Sequence, residues 1–120
     1  MSEIQIIFLP EFEKDLKLLA KKYVSIRDDL ELILLILSSK PEPRPPFSFQ
    51  LDQLSTQYAI IKIKKIFCKS LKGKGSQSGL RIIYAYSKQN STITLVEFYH
   101  KGQQTRENRA RILKYFYSSR

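Results

Sequence analysis

The chain has 120 residues, 42% of them hydrophobic, and carries 21 Lys and Arg against 11 Asp and Glu, a net charge of +10. That length supports one compact core and is too short for two ordinary domains, so residues 1–120 read as a single domain. The lone Cys68 excludes an internal disulfide and has no His or Cys companion at metal-ligand spacing, the opening MSEIQIIFLPEFEKD lacks the basic start and long apolar run of a signal peptide, and the longest apolar run, residues 32–37, is too short to span a bilayer. The expectation is a cytoplasmic protein with no metal, no other cofactor and no membrane partner.

In chain order, residues 4–9 predict a strand stopped by Pro10, whose fixed φ suits the first turn of a helix. That helix runs to about Tyr23, because Phe12, Leu16, Leu19, Ala20 and Tyr23 fall on one face of a 3.6-residue period. Ile26, Leu30, Ile33, Leu34 and Leu37 repeat the offsets in a second helix. Ser25 stands at its N-cap, Asp28 and Asp29 lie near the positive end of its dipole, and Pro41, Pro43, Pro45 and Pro46 forbid its continuation. Two amphipathic helices with so short a link form an antiparallel hairpin.

Residues 38–57 read as an irregular crossing segment. Phe47, Phe49 and Leu51 alternate as an edge strand does, but the four prolines and the length oppose one. Strands are predicted at 58–68, 79–87 and 92–99, with Cys68 a small residue of the first, a short hairpin turn at 87–91 and a longer mobile loop at 72–79. A C-terminal helix over about 104–118 places Ala110, Leu113, Phe116 and Tyr117 on one face. The order β-α-α-β-β-β-α implies an α+β fold: a small antiparallel or mixed sheet of about four strands, with the helical hairpin on one face and the other face left for function.

Charge is uneven along the chain. The balance is −2 over residues 1–52, +8 over 53–96 and +4 over 97–120, and no carboxylate occurs between Tyr58 and Tyr86. A positive field concentrated in one region gathers phosphate, so a polyanion, RNA first among them, is the expected partner. The loop KGKGSQSG is not a nucleotide cradle: it lacks the Gly-x-x-x-x-Gly-Lys-Ser/Thr spacing and joins two strands where a P-loop joins a strand to a helix.

Metal-free RNA cleavage needs a base for the 2′-hydroxyl proton, cations for the charge on phosphorus and an acid for the leaving 5′-oxygen. Lys62 and Lys64, two apart, share a strand face, where crowding by like charge would lower a lysine's pKa toward use as a base. Arg81, on the neighbouring strand, has the planar fork suited to the scissile phosphate. The bland alternative is that strand lysines only solvate an exposed face. Lys69, Lys72 and Lys74, in or beside the glycine loop, are expected to track the phosphate backbone.

The segments FEKDLKLLAKKY, SIRDDLELI, IKIKK, CKSLKGKGSQSGLRIIYAY and LVEFYHKG together resemble the RelE/ParE superfamily of type II toxin–antitoxin toxins, over about residues 5–102. The resemblance implies a compact α/β domain, in most members a metal-independent endoribonuclease that cleaves mRNA on the ribosome, held inactive in a complex with a cognate acidic antitoxin. Some branches instead poison DNA gyrase, and a catalytically silent binding relative is the third reading. The resemblance places a C-terminal catalytic group at Tyr99 and His100, with Lys101 beside them as a substrate contact. His100, the only histidine, titrates near neutrality and suits acid or base work, or is structural. Tyr99 stacks on a base, supplies a proton or packs on the final helix, and Glu97 is a lesser candidate base. Residues 41–57 depart from the family pattern and offer only Glu42 and Asp52 as acids.

Overall fold

The computed structural model describes residues 3–51, 55 and 57–117. Asp52 therefore lies outside the described residues. The elements are β1 (Gln5–Phe8), α1 (Pro10–Lys22), α2 (Ile26–Ser39), β2 (Ser48–Gln50), β3 (Ala59–Ile63), β4 (Leu80–Ser87), β5 (Thr92–His100) and α3 (Arg109–Phe116). Pro10 sits in the first turn of α1, with Glu11 and Glu13 at its positive end and Lys21 and Lys22 at its negative end. The predicted apolar faces are the buried ones: Phe12, Leu16 and Tyr23 from the first helix, Ile26, Leu30 and Leu37 from the second. Ser25 occupies the N-cap position of α2 but does not cap it. Its hydroxyl instead donates to Asp29 Oδ2 at 2.7 Å and accepts the Ser70 backbone N–H at 2.8 Å, tying the later loop to this helix.

The sheet order is β1-β5-β4-β3-β2, with β1 parallel to β5 and every other pair antiparallel. Five strands form where the sequence suggests about four. The addition is β2, which pairs Ser48 with Ile63, Phe49 with Lys62 and Gln50 with Ile61. Three residues close to four prolines carry little strand signal of their own, and only the partner strand makes them one.

β3 ends at Ile63 and not at 68, because the backbone N–H groups of Lys64 and Lys65 both turn to the Phe47 carbonyl, at 2.9 and 3.3 Å. Cys68 consequently lies in a turn beyond the strand, fully buried, 3.6 Å from the Ser25 hydroxyl. The loop expected at 72–79 is a hydrogen-bonded series of turns, with Gln77 N–H on the Lys74 carbonyl at 2.9 Å and the Ser78 hydroxyl on the Ile66 carbonyl at 2.7 Å.

Strand alternation sends Ile61, Ile63, Ile82, Tyr84, Leu95 and Phe98 toward the helical hairpin, where all are buried. Phe12 stacks on Phe98 with centroids 5.7 Å apart. Each such ring or branched side chain contributes about 1.5–3 kcal/mol by leaving water. Tyr84 is enclosed, its hydroxyl donating to the Pro41 carbonyl at 2.7 Å, and burial raises its pKa above the ordinary tyrosine value.

The second face is not wholly free. Glu97, only 2% exposed, accepts the Gln104 side-chain amide at 2.6 Å and the Asn108 N–H at 2.8 Å, which holds the bent segment 104–108 against β5. The helix expected from about 104 therefore starts at Arg109, capped by Asn108 Oδ1 on the Arg111 N–H at 3.0 Å. Its buried residues are Ile112 and Phe116, while Ala110, Leu113 and Tyr117 are exposed. The Arg111 guanidinium sets this rotation by donating to Asp15 Oδ2 at 2.7 Å and to the Val96 carbonyl at 2.9 Å. Phe116 meets Tyr58 edge to face at 4.9 Å. Beyond the end of β1, Asp15 also accepts the Phe98 N–H at 3.1 Å, so side chains satisfy the edge of β5 that no strand covers among the described residues.

Candidate nucleic-acid interface

Register places the candidate residues before any side chain is considered. Lys62 lies opposite Ile83, and Arg81 opposite Tyr99, so Lys62, Arg81 and Tyr99 share the face away from the helical hairpin. Phe49 joins them from the edge strand as the partner of Lys62.

Two clefts open on this side. The first, about 310 Å³, is bounded by the end of β3, the 76–79 turn and the start of β4, and is lined by Lys64, Lys65, Arg81 and Lys101 with no carboxylate. The second, about 390 Å³, takes Lys62, Lys64, Arg106 and Arg109, with Glu107 its one acid. Phe49 and Lys64 line both, so the clefts form one groove with seven cations and one carboxylate among the described residues.

Arg81 is held from behind: its Nη1 donates to the Lys64 carbonyl at 2.9 Å and the Leu80 carbonyl at 3.2 Å. A guanidinium fixed through one nitrogen is oriented before a ligand arrives. Lys64 is exposed and its ammonium lies 5.6 Å from the Phe49 ring centroid. Lys62 is more enclosed, pairing with Glu107 Oε1 at 3.1 Å and lying 5.9 Å from the Tyr99 ring centroid. Burial would raise the Glu107 carboxyl, but its own backbone N–H, the Lys62 ammonium and Arg109 outweigh that and hold it below the ordinary carboxylate value. Tyr99 is 6% exposed and its hydroxyl has no hydrogen-bond partner among the described residues. Burial pushes its pKa up against the opposing Lys62 ammonium, so it stays protonated at neutral pH and is a donor, not a base. Glu97 has both oxygens engaged in holding 104–108 and is a positioning residue.

His100 stands apart from this group. Alternation turns it to the opposite face from Tyr99, where it stacks on Tyr23 with centroids 6.0 Å apart. Its Nδ1 accepts the Gly102 N–H at 2.9 Å, which leaves the proton on Nε2 to donate to the Ser78 carbonyl at 3.0 Å. Gly79, at φ +86°, is required there, since a Cβ would lie 2.7 Å from that Nε2. Lys69, Lys72 and Lys74 are exposed and line neither cleft, and the Lys69 backbone N–H is turned to Asp29 Oδ1 at 3.3 Å. Lys65, Arg106, Arg109 and Glu107 enter the groove without having been singled out from the sequence. Only the strand-to-helix crossing brings the last three to Lys62.

Among the described residues no group of three His, Cys, Asp or Glu side chains is placed to hold a metal ion, and no helix is long and apolar enough to cross a membrane. Elsewhere, an apolar pocket of about 340 Å³ lies beside α2, walled by Leu32, Ile36, Phe47, Phe67 and Tyr84, with both cations (Lys40, Arg44, Lys65) and carboxylates (Asp29, Glu42) also lining it.

No protein-family model and no curated protein matches the sequence. Solved structures do share the fold. The archaeal RelE–RelB complex from Pyrococcus horikoshii OT3 matches over 83% of this chain and 97% of that one, at 16% identity and a TM-score of 0.58. A metal-bound toxin from Helicobacter pylori matches over 84% and 98%, at 20% identity and a TM-score of 0.54. At these identities the likeness is one of fold: the chain has the α+β architecture of RelE-like toxins.

Proposed function

We propose that this chain is the toxin of a type II toxin–antitoxin system and that its basic groove binds and cleaves mRNA on the ribosome, in the cytoplasm. The observation that carries the reading is the continuous groove in which, among the described residues, seven cations face one carboxylate around a guanidinium already fixed by two backbone carbonyls. Such a surface suits a phosphate chain, and a pre-oriented fork suits the charge that develops on phosphorus. The family resemblance of KGKGSQSGLRIIYAY and the shared fold support the toxin assignment, and the ribosome as the setting rests on that resemblance.

In this reading Arg81 and Lys64 hold the scissile phosphate. A neighbouring phosphate competes for Lys62 and releases the ionised Glu107 carboxylate, which takes the 2′-hydroxyl proton as that oxygen attacks phosphorus. The P–O5′ bond breaks and the leaving oxygen takes the proton of Tyr99, which lines neither cleft and whose enclosed hydroxyl is uncovered as Lys62 moves to the phosphate, giving a 2′,3′-cyclic phosphate and a 5′-hydroxyl. Lys101 is a further phosphate contact, while His100 and the loop lysines Lys69, Lys72 and Lys74, which line neither cleft, take no part in this scheme. A cognate acidic antitoxin is the proposed partner: the matched P. horikoshii structure is a RelE–RelB complex, and the net charge of +10 together with the apolar pocket beside α2 suits an acidic amphipathic segment.

One observation favours a second reading, a relative that binds RNA without cleaving it: Lys62 is paired and the Tyr99 hydroxyl is enclosed. Induced expression with transcript-end mapping separates the possibilities. Growth arrest with new transcript ends, both lost in a folded Arg81→Ala variant, is the expected result. Identical cleavage patterns in wild type and variant would overturn the catalytic assignment, and arrest of replication with transcripts intact would favour a gyrase target.

A further inference from the structure

We infer that Phe49 is a stacking platform for an unpaired nucleobase, which makes the groove a reader of single-stranded and not duplex nucleic acid; this rests on the reading of the groove as an RNA site. Phe49 is the aromatic residue that lines both clefts, at the point where they join, and no other aromatic side chain lines either among the described residues. It is 38% exposed. It stands on β2, the terminal strand of the sheet order, so among the described residues no further strand closes the approach to it. Cations flank it on both sides along the groove: Lys62 and Lys64 from β3 and its extension, Arg81 and Lys101 toward one end, Arg106 and Arg109 toward the other.

Phosphates alone would be served by the cations. Polyphosphate and a closed duplex present negative charge without a free aromatic plane, and an acidic peptide presents neither a phosphate chain nor a nucleobase. Single-stranded nucleic acid offers both at once, a charged backbone and unstacked bases that pack on aromatic side chains. The Lys64 ammonium, 5.6 Å from the Phe49 centroid, places a phosphate contact within one side chain of the stacked base.

The test uses a fluorescein-labelled 12-nucleotide RNA containing 2-aminopurine, alone and annealed to its complement, with binding followed by anisotropy over a salt series. Phe49→Ala is expected to weaken single-strand binding about 5- to 150-fold while leaving the salt slope unchanged, since a base contact is lost and no phosphate contact. Phe49→Trp should retain affinity and quench the 2-aminopurine; Phe49→Leu, apolar but without a π face, should behave as alanine does. Equal single-strand affinity in Phe49→Ala and wild type, or full rescue by Phe49→Leu, overturns the stacking assignment. So does duplex binding as tight as single-strand binding. Arg81→Ala keeps the two ideas apart: if it loses affinity while Phe49→Ala does not, the stacking inference falls and the RNA reading stands. If wild type binds neither oligonucleotide, both fall.

Discussion

Asp15→Ala removes one acceptor from two donors and thereby tests how α3 is held over the sheet. Asp15 Oδ2 takes the Phe98 N–H at 3.1 Å and the Arg111 guanidinium at 2.7 Å. A backbone amide left without a partner costs about 1–3 kcal/mol. The pair with Arg111 adds about 1 kcal/mol, well below the value for a fully buried pair, because the two side chains are 18% and 16% exposed and Arg111 keeps the Val96 carbonyl. The expected total is about 2–4 kcal/mol, or a melting temperature lowered by about 8–16 °C at about 4 °C per kcal/mol for a chain of this size. Asp15→Asn keeps an acceptor for Phe98 and should lose about 1 kcal/mol. Thermal and urea unfolding followed by circular dichroism supply the numbers, and a double-mutant cycle with Arg111→Met isolates the coupling. A loss under about 0.5 kcal/mol in Asp15→Ala, or a cycle without coupling, refutes the view that this carboxylate anchors the helix.

Two further outcomes follow from the groove. Single-strand RNA affinity of Arg81→Ala should show a log K against log salt slope shallower by about 0.7, the share of one phosphate contact, whereas Lys72→Ala and Lys74→Ala leave the slope unchanged because neither side chain lines the groove; equal effects from all three would restore the loop lysines as phosphate contacts. The Glu107 carboxyl is held below its ordinary value of 4.5, so its contribution to stability is present above that pH and is lost as pH falls through the lower folded value. Unfolding of wild type beside Glu107→Gln should accordingly show a stability gap at neutral pH that closes in acid, and a gap unchanged across that range would contradict the Lys62 pairing.

Much of the fold is legible in the chain because it is local. The helical hairpin is written in the spacing of Phe12, Leu16, Tyr23, Ile26, Leu30 and Leu37, all buried as that period requires. Concentration of positive charge between residues 53 and 96 likewise points to a basic surface, and Lys62, Lys64 and Arg81 do line one. The separation of Tyr99 from His100 was also present as a signal, since adjacent strand residues face opposite ways; what alternation cannot say is which of the two faces the groove.

The rest depends on partners distant in sequence. β2 exists because β3 accepts it, and the start and rotation of α3 come from Glu97, Asp15 and Val96, residues with no local relation to the helix. The sequence by itself determined the order of elements, the hairpin and the sign of the surface, because propensity, periodicity and charge act over a few residues. Only the tertiary structure decided that Glu107 meets Lys62, that Arg106 and Arg109 complete the groove and that His100 and the loop lysines do not line it, because those contacts are set by which strands pair and where the last helix crosses them.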